Sequence, residues 1–128
     1  MRNVSKYTLS AALAYIAITG RKRGLHMSTR LAVLDYTNLN LEGPSFYELT
    51  EEGWEIAKTS RLWKAHEHLT SLGFVHDTRV RRETPRFVHY HHKDVPERSA
   101  WTGKHGRAYW ASEGETWASD NSKQFRNG

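Results

Sequence analysis

The chain has no cysteine. That absence excludes disulfides, thiolate zinc sites and a cysteine nucleophile, and it fits an intracellular protein. Long apolar runs are also missing. The longest, Leu9 to Ile18, covers 10 residues, too short to span a bilayer. The Arg21-Lys22-Arg23 run that follows is a poor signal-cleavage region, so the apolar stretch reads as folded structure. The expectation is a cytoplasmic protein with no membrane partner. Hydrophobic residues make up only 38% of the sequence, which leaves polar tails or broad exposed faces. There is no Walker-type glycine loop, no GxSxG and no HExxH. No enzyme activity, cofactor or metal is therefore expected.

Basic charge is what the chain does have. Its 128 residues suffice for one domain with a modest core. The formal charge is +5 and the pI is near 9.6, which favours a polyanionic partner. Residues 1–44 carry +4, residues 45–75 carry −2, residues 76–93 carry +3 and residues 94–128 are neutral. The densest positive region lies within the stretch HDTRVRRETPRFVHYHHK, and Arg21-Lys22-Arg23 forms a second cluster.

Apolar spacing predicts helices. Leu9, Ala12, Leu13 and Ile16 share one face of a helix over residues 5–18, with Ser5 or Thr8 as its cap. A second helix is expected from Ser28 to about Asn40, burying Leu31 and Leu34, with Glu42-Gly43-Pro44 as its stop. Ser45-Phe46-Tyr47-Glu48 has capping-box spacing, so a third helix is expected to open there and bury Phe46 and Leu49, with Gly53 interrupting it. A fourth starts near Thr59 or Ser60 and buries Leu62, Ala65, Leu69 and Leu72, and Gly73 ends it in a left-handed cap. Phe74–Arg82 and Arg86–His92 read as two strands joined by Arg82-Glu83-Thr84-Pro85. Residues 94–128 show no helical stripe but carry Trp101, Trp110 and Trp117. They read as an irregular extension whose tryptophans pack on the domain.

The fourth helix and the arginines after it carry the chemistry. With the leucine stripe inward, Ser60, Trp63, Lys64, Glu67 and Ser71 point the other way, flanked by Arg61 and His68. Thr59, Ser60, Arg61 and Lys64 are donors near a helix N-terminus, suited to bases and phosphates in a major groove. An ordinary solvated helix face explains them about as well. Arg79 and Arg81 share strand parity and Arg82 and Arg86 bracket the turn. Edge protection accounts for one or two such charges, and phosphate contact accounts better for all of them. His89 and His91 share a strand face and could chelate zinc or copper, but no acidic ligand has a persuasive spacing.

The order helix, glycine stop, basic hairpin, together with RLAVLDYTNLN, PSFYELTEEG and KTSRLWKAHEHLTSLGFV, resembles the winged helix-turn-helix domains of phage and plasmid replication proteins and small transcription regulators. The resemblance covers residues 28–93, about half the chain. It implies a mainly α protein with a β-hairpin (α+β), in which Lys58–Leu72 is the recognition helix and Val75–His92 the wing. Residues 1–27 would add an N-terminal helix and basic linker, and residues 94–128 the irregular extension. The Gly53–Lys58 stretch is longer than the family's usual turn. The implied function is binding of double-stranded DNA in a regulatory or replication-initiating role; the Leu9-Leu13-Ile16 face reads equally as a homodimer contact and as core. Two rivals stand beside it. One is a protein-binding module directed at a host or phage protein, and the other a small His-dependent metallonuclease centred on His89 and His91.

Overall fold

A computed structural model describes residues 4–40, 47–110 and 123–125. They form an α+β structure in which four helices pack with two small antiparallel sheets. No helix among the described residues is long and apolar enough to cross a membrane.

Helix α1 (Lys6–Thr19) is the centre of the core. The Ser5 side chain caps it by accepting from Thr8 N at 3.1 Å. Ala12, Leu13, Ala14, Tyr15 and Ile16 are all buried. A helix apolar on every side needs neighbours on every side, and α1 packs against α2 (Met27–Ala32), α3 (Glu51–Ala57) and α4 (Arg61–Ser71). Leu13 and Ile16 are fully enclosed within this one chain, so they make core rather than a dimer contact.

The second helix is shorter than its apolar spacing suggests. It ends at Ala32, and a 3-10 turn, Leu34–Tyr36, leads into strand β1 (Thr37–Leu39). The Thr37 hydroxyl donates to Val33 O at 3.0 Å, and Tyr36 O accepts from Thr50 N at 2.9 Å. These bonds turn the chain out of the helix, and β-branched Thr37 suits the strand. Val33 is the residue that reaches the core, whereas Leu31 and Leu34 are 50% and 57% exposed.

The capping box is also overturned. Tyr47–Leu49 is strand β2, paired with β1 as Thr37↔Leu49 and Leu39↔Tyr47. Thr50 is the true cap of α3, accepting from Gly53 N at 3.0 Å, with Glu51 and Glu52 in the first turn. Gly53 lies inside the helix and is buried there, so it does not interrupt it. Leu49 is buried as expected, but from a strand. Ser45, Phe46 and the stop at 42–44 lie outside the described residues.

Helix α4 follows its pattern closely. Ser60 caps it by accepting from Leu62 N at 3.1 Å. Leu62, Ala65 and Leu69 are buried, Leu72 is 41% exposed, and Gly73 takes the left-handed conformation (φ 93°) that turns the chain into β3.

The hairpin is much shorter in paired length than expected. Strands β3 (Phe74–His76) and β4 (His89–His92) pair as Phe74↔His92 and His76↔Tyr90. Residues 77–88 form a loop instead of extending both strands. Its tip is Pro85 and Arg86, flanked by an isolated bridge between Thr84 and Phe87. The sheet then continues through β5 (Ser99–Thr102), β6 (Ala108–Trp110) and β7 (Lys123–Phe125) as an antiparallel meander. The region expected to be irregular therefore contributes three strands. Ala100 and Ala108 are fully buried in the same core as α1 and α4. Trp110 packs on His68 with ring centroids 5.1 Å apart. Trp117 lies outside the described residues.

Candidate functional site

Four chain segments converge around the first turn of α4. They are the start of α1, the entry to α2, the tip of the 77–88 loop and a 3-10 turn at Lys104–Gly106. Together they enclose a groove of about 850 Å3. Thr59, Ser60, Arg61, Lys64 and Arg86 line it, so five of the eight residues picked from the sequence meet there. Its opposite wall includes Thr8, His26, Thr29 and His105, none of which the sequence pattern singled out for binding. Each lies outside the recognition-helix and hairpin segments, and a lone Thr or His carries no local signal of a shared wall.

The groove is shaped by close backbone contacts. Gly106 has φ 70°, and a Cβ there would come within 2.5 Å of the Arg61 backbone. The 104–106 turn is thereby seated against the N-terminal end of α4, where the helix dipole leaves partial positive charge. Lys64 is exposed one turn further on, and Arg86 is exposed at the loop tip. Ser60 is only 3% exposed and its hydroxyl is engaged as the helix cap. Its part is to set the start of α4, not to reach a ligand.

The side of α4 away from the core is narrower than expected. Trp63 is half-buried and meets Trp54 edge-on at 5.4 Å, and His68 is held under Trp110. The open strip runs through Arg61, Lys64, Glu67 and Ser71.

The remaining arginines do not line the groove. Arg79 donates to both carboxylate oxygens of Asp77 at 2.9 Å. That hydrogen-bonded pair holds the Asp77 carboxyl down to about 2, despite the opposing effect of burial. Arg81 and Arg82 are exposed along the loop. None of the three lies on a strand, so strand parity does not set their directions.

A buried polar cluster fixes the loop that carries them. The Glu83 carboxylate, 1% exposed, accepts from His76 Nε2 at 2.8 Å and from His89 N at 2.9 Å, and lies 3.8 Å from the Arg21 guanidinium. Arg21 also donates to Val80 O at 3.3 Å and Thr78 O at 3.2 Å. The Tyr15 hydroxyl sits 2.5 Å from Arg23 O and 3.2 Å from Glu83 O, and burial pushes it up to about 12, helped by the Glu83 charge. Lys22 is buried, with its ammonium 4.3 Å from the Tyr47 ring centre, and burial lowers its pKa. Two members of the early basic cluster are thus structural, while Arg23 is exposed.

His89 and His91 do share a face, opposite to that of Tyr90. His91 Nδ1 is 3.8 Å from Asp77 Oδ2. Among the described residues no three His, Asp or Glu side chains are grouped closely enough to hold a metal ion. Comparison with family models, curated proteins and solved structures returns no match to this chain.

Proposed function

We propose that the chain binds double-stranded DNA, with the phosphate backbone in the groove at the N-terminal end of α4. The observation that carries this reading is the convergence of Arg61, Lys64 and Arg86 on that one concavity. Cations from two separate elements, beside helix amides and the His26 and His105 rings, match the needs of a phosphate track. The Lys64–Glu67–Ser71 strip then lies toward the bases, and Arg81 and Arg82 extend the positive edge. The α3–α4 pair followed by β3 and β4 is the order that a winged helix-turn-helix uses, which supports a regulatory or replication-initiating role.

The test is duplex binding across a salt series. Lys64→Ala with Arg86→Ala is expected to weaken binding to all sequences and to reduce the log–log salt slope by about two. An unchanged slope removes the groove as the phosphate site.

One observation favours a second reading, a protein-docking module. Met27, Leu31 and Leu34, spaced at four and three residues, are 63%, 50% and 57% exposed. An apolar stripe of that kind suits a protein partner. Binding through it would be insensitive to salt and lost in Leu31→Glu, whereas duplex binding would survive that change.

A further inference from the structure

Among the described residues, the core uses one of the two faces of the five-stranded sheet. Phe74, Tyr90, Ala100 and Ala108 point inward and are buried. Strand register places His89, Trp101 and Tyr109 in one row across β4, β5 and β6 on the opposite face. Trp101 and Tyr109 are stacked, with centroids 5.7 Å apart and planes at 18°. Phe87 extends the row, meeting His89 edge-on at 4.6 Å, and is itself 41% exposed. Cations border the row. Arg107, whose carbonyl accepts from Gly103 N at 2.9 Å, is exposed just before β6, and Lys104 is exposed in the adjoining turn. At the other edge the Asp77 charge is neutralised by Arg79.

We propose that this outer face is a stacking platform for single-stranded nucleic acid. Half-buried Trp101 and Tyr109 beside exposed Phe87 present aromatic surface on which unpaired bases of any sequence can stack, and flanking cations hold the sugar–phosphate chain. A purely structural account is available for Tyr109, whose ring lies over Gly103, where a Cβ would meet it at 3.0 Å. Such a ring stiffens a glycine in a sheet. That account does not explain Phe87, which is exposed, nor the cations beside it. The site is distinct from the groove at α4, which suits duplex backbone, so the chain would engage paired and unpaired strands through different surfaces.

The experiment is fluorescence anisotropy of labelled oligothymidylate and of a blunt duplex, titrated with the full chain at low salt. Wild type is expected to bind oligothymidylate. Phe87→Ala and Tyr109→Leu are each expected to weaken that binding roughly fivefold or more and to leave duplex binding unchanged. Lys64→Ala with Arg86→Ala is expected to do the reverse, so that failure of the groove and failure of the platform give different patterns. Circular dichroism melts confirm that each variant is folded; if Tyr109→Leu is not, the exposed Phe87→Ala decides. The proposal is overturned if wild type does not bind oligothymidylate, if folded variants bind it as wild type does, or if they lose duplex and single strand equally.

Discussion

His66 and Glu83 show how a few buried polar side chains set the behaviour of this protein. His66 Nδ1 is 2.9 Å from the Tyr90 hydroxyl, and burial, with the nearby His76, holds its pKa down to about 4. As pH falls from 6.5 toward 4, the unfolded chain takes up a proton at this site that the folded chain refuses. Stability is expected to drop by roughly 3 kcal/mol across that window. Asp77, held down to about 2 chiefly by its hydrogen bond from Arg79, adds a further loss as pH falls from 3.8 toward 2. Urea midpoints measured across both ranges check the two steps, and His66→Phe with Tyr90→Phe is expected to flatten the upper one alone. Glu83→Ala removes the carboxylate that joins His76 and the His89 amide. Loss of such a buried partner is expected to cost roughly 3–5 kcal/mol, read as a lowered urea midpoint. The His66–Tyr90 pairing spans 24 residues, and the Tyr15 hydroxyl reaches Glu83 O across 68, so neither is visible in local spacing.

At the level of elements, caps explain both the agreements and the corrections. Ser5 and Ser60 begin helices where the spacing of apolar residues says they should. The Ser45–Glu48 pattern has the same chemistry, yet Tyr47 and Leu49 are taken by pairing with β1, and Thr50 caps α3 instead. Thr50→Ala is expected to cost about 1 kcal/mol through loss of that cap, measurable as a shift in the urea midpoint. The 104–106 turn is a stricter case. Gly106→Ala requires a side chain at positive φ against the Arg61 backbone. It is expected to lower Tm and, in the fraction that folds, to weaken duplex binding by displacing one wall of the groove. Gel shifts at a temperature well below the melt separate the two effects. The strands beyond Lys93 escaped the sequence pattern because they are short. Runs of three or four residues such as Ser99–Thr102 and Ala108–Trp110 are too brief for alternation to stand out from Gly and Ser around them.

Over the whole molecule, the N-terminal helix, α4 and the strands beyond Lys93 share one core. Helix α1 comes from residues 1–27 and Ala100 and Ala108 from residues 94–128, yet all pack with α4. A chain cut after Lys93 would expose the inner face of the sheet and leave β4 as an edge. It is expected to lose its cooperative thermal transition, as followed by circular dichroism and size exclusion. A stable, cooperatively melting fragment would show that the strands beyond Lys93 are dispensable to the core. The positive surface is likewise a property of the assembled chain. Arg86 and Lys64 are far apart in sequence and share a groove only because the Glu83 cluster anchors the loop between β3 and β4.

Helices α1 and α4, the Gly73 stop and the basic character of residues 76–93 were readable from residue order alone. Helical periodicity, capping and net charge are local quantities, expressed over a few turns of chain. The early end of α2, the five-stranded sheet, the loop at 77–88 and the walls of the groove were decided by contacts between distant segments. Strand pairing and buried carboxylates draw their stability from partners that only the folded core brings within reach.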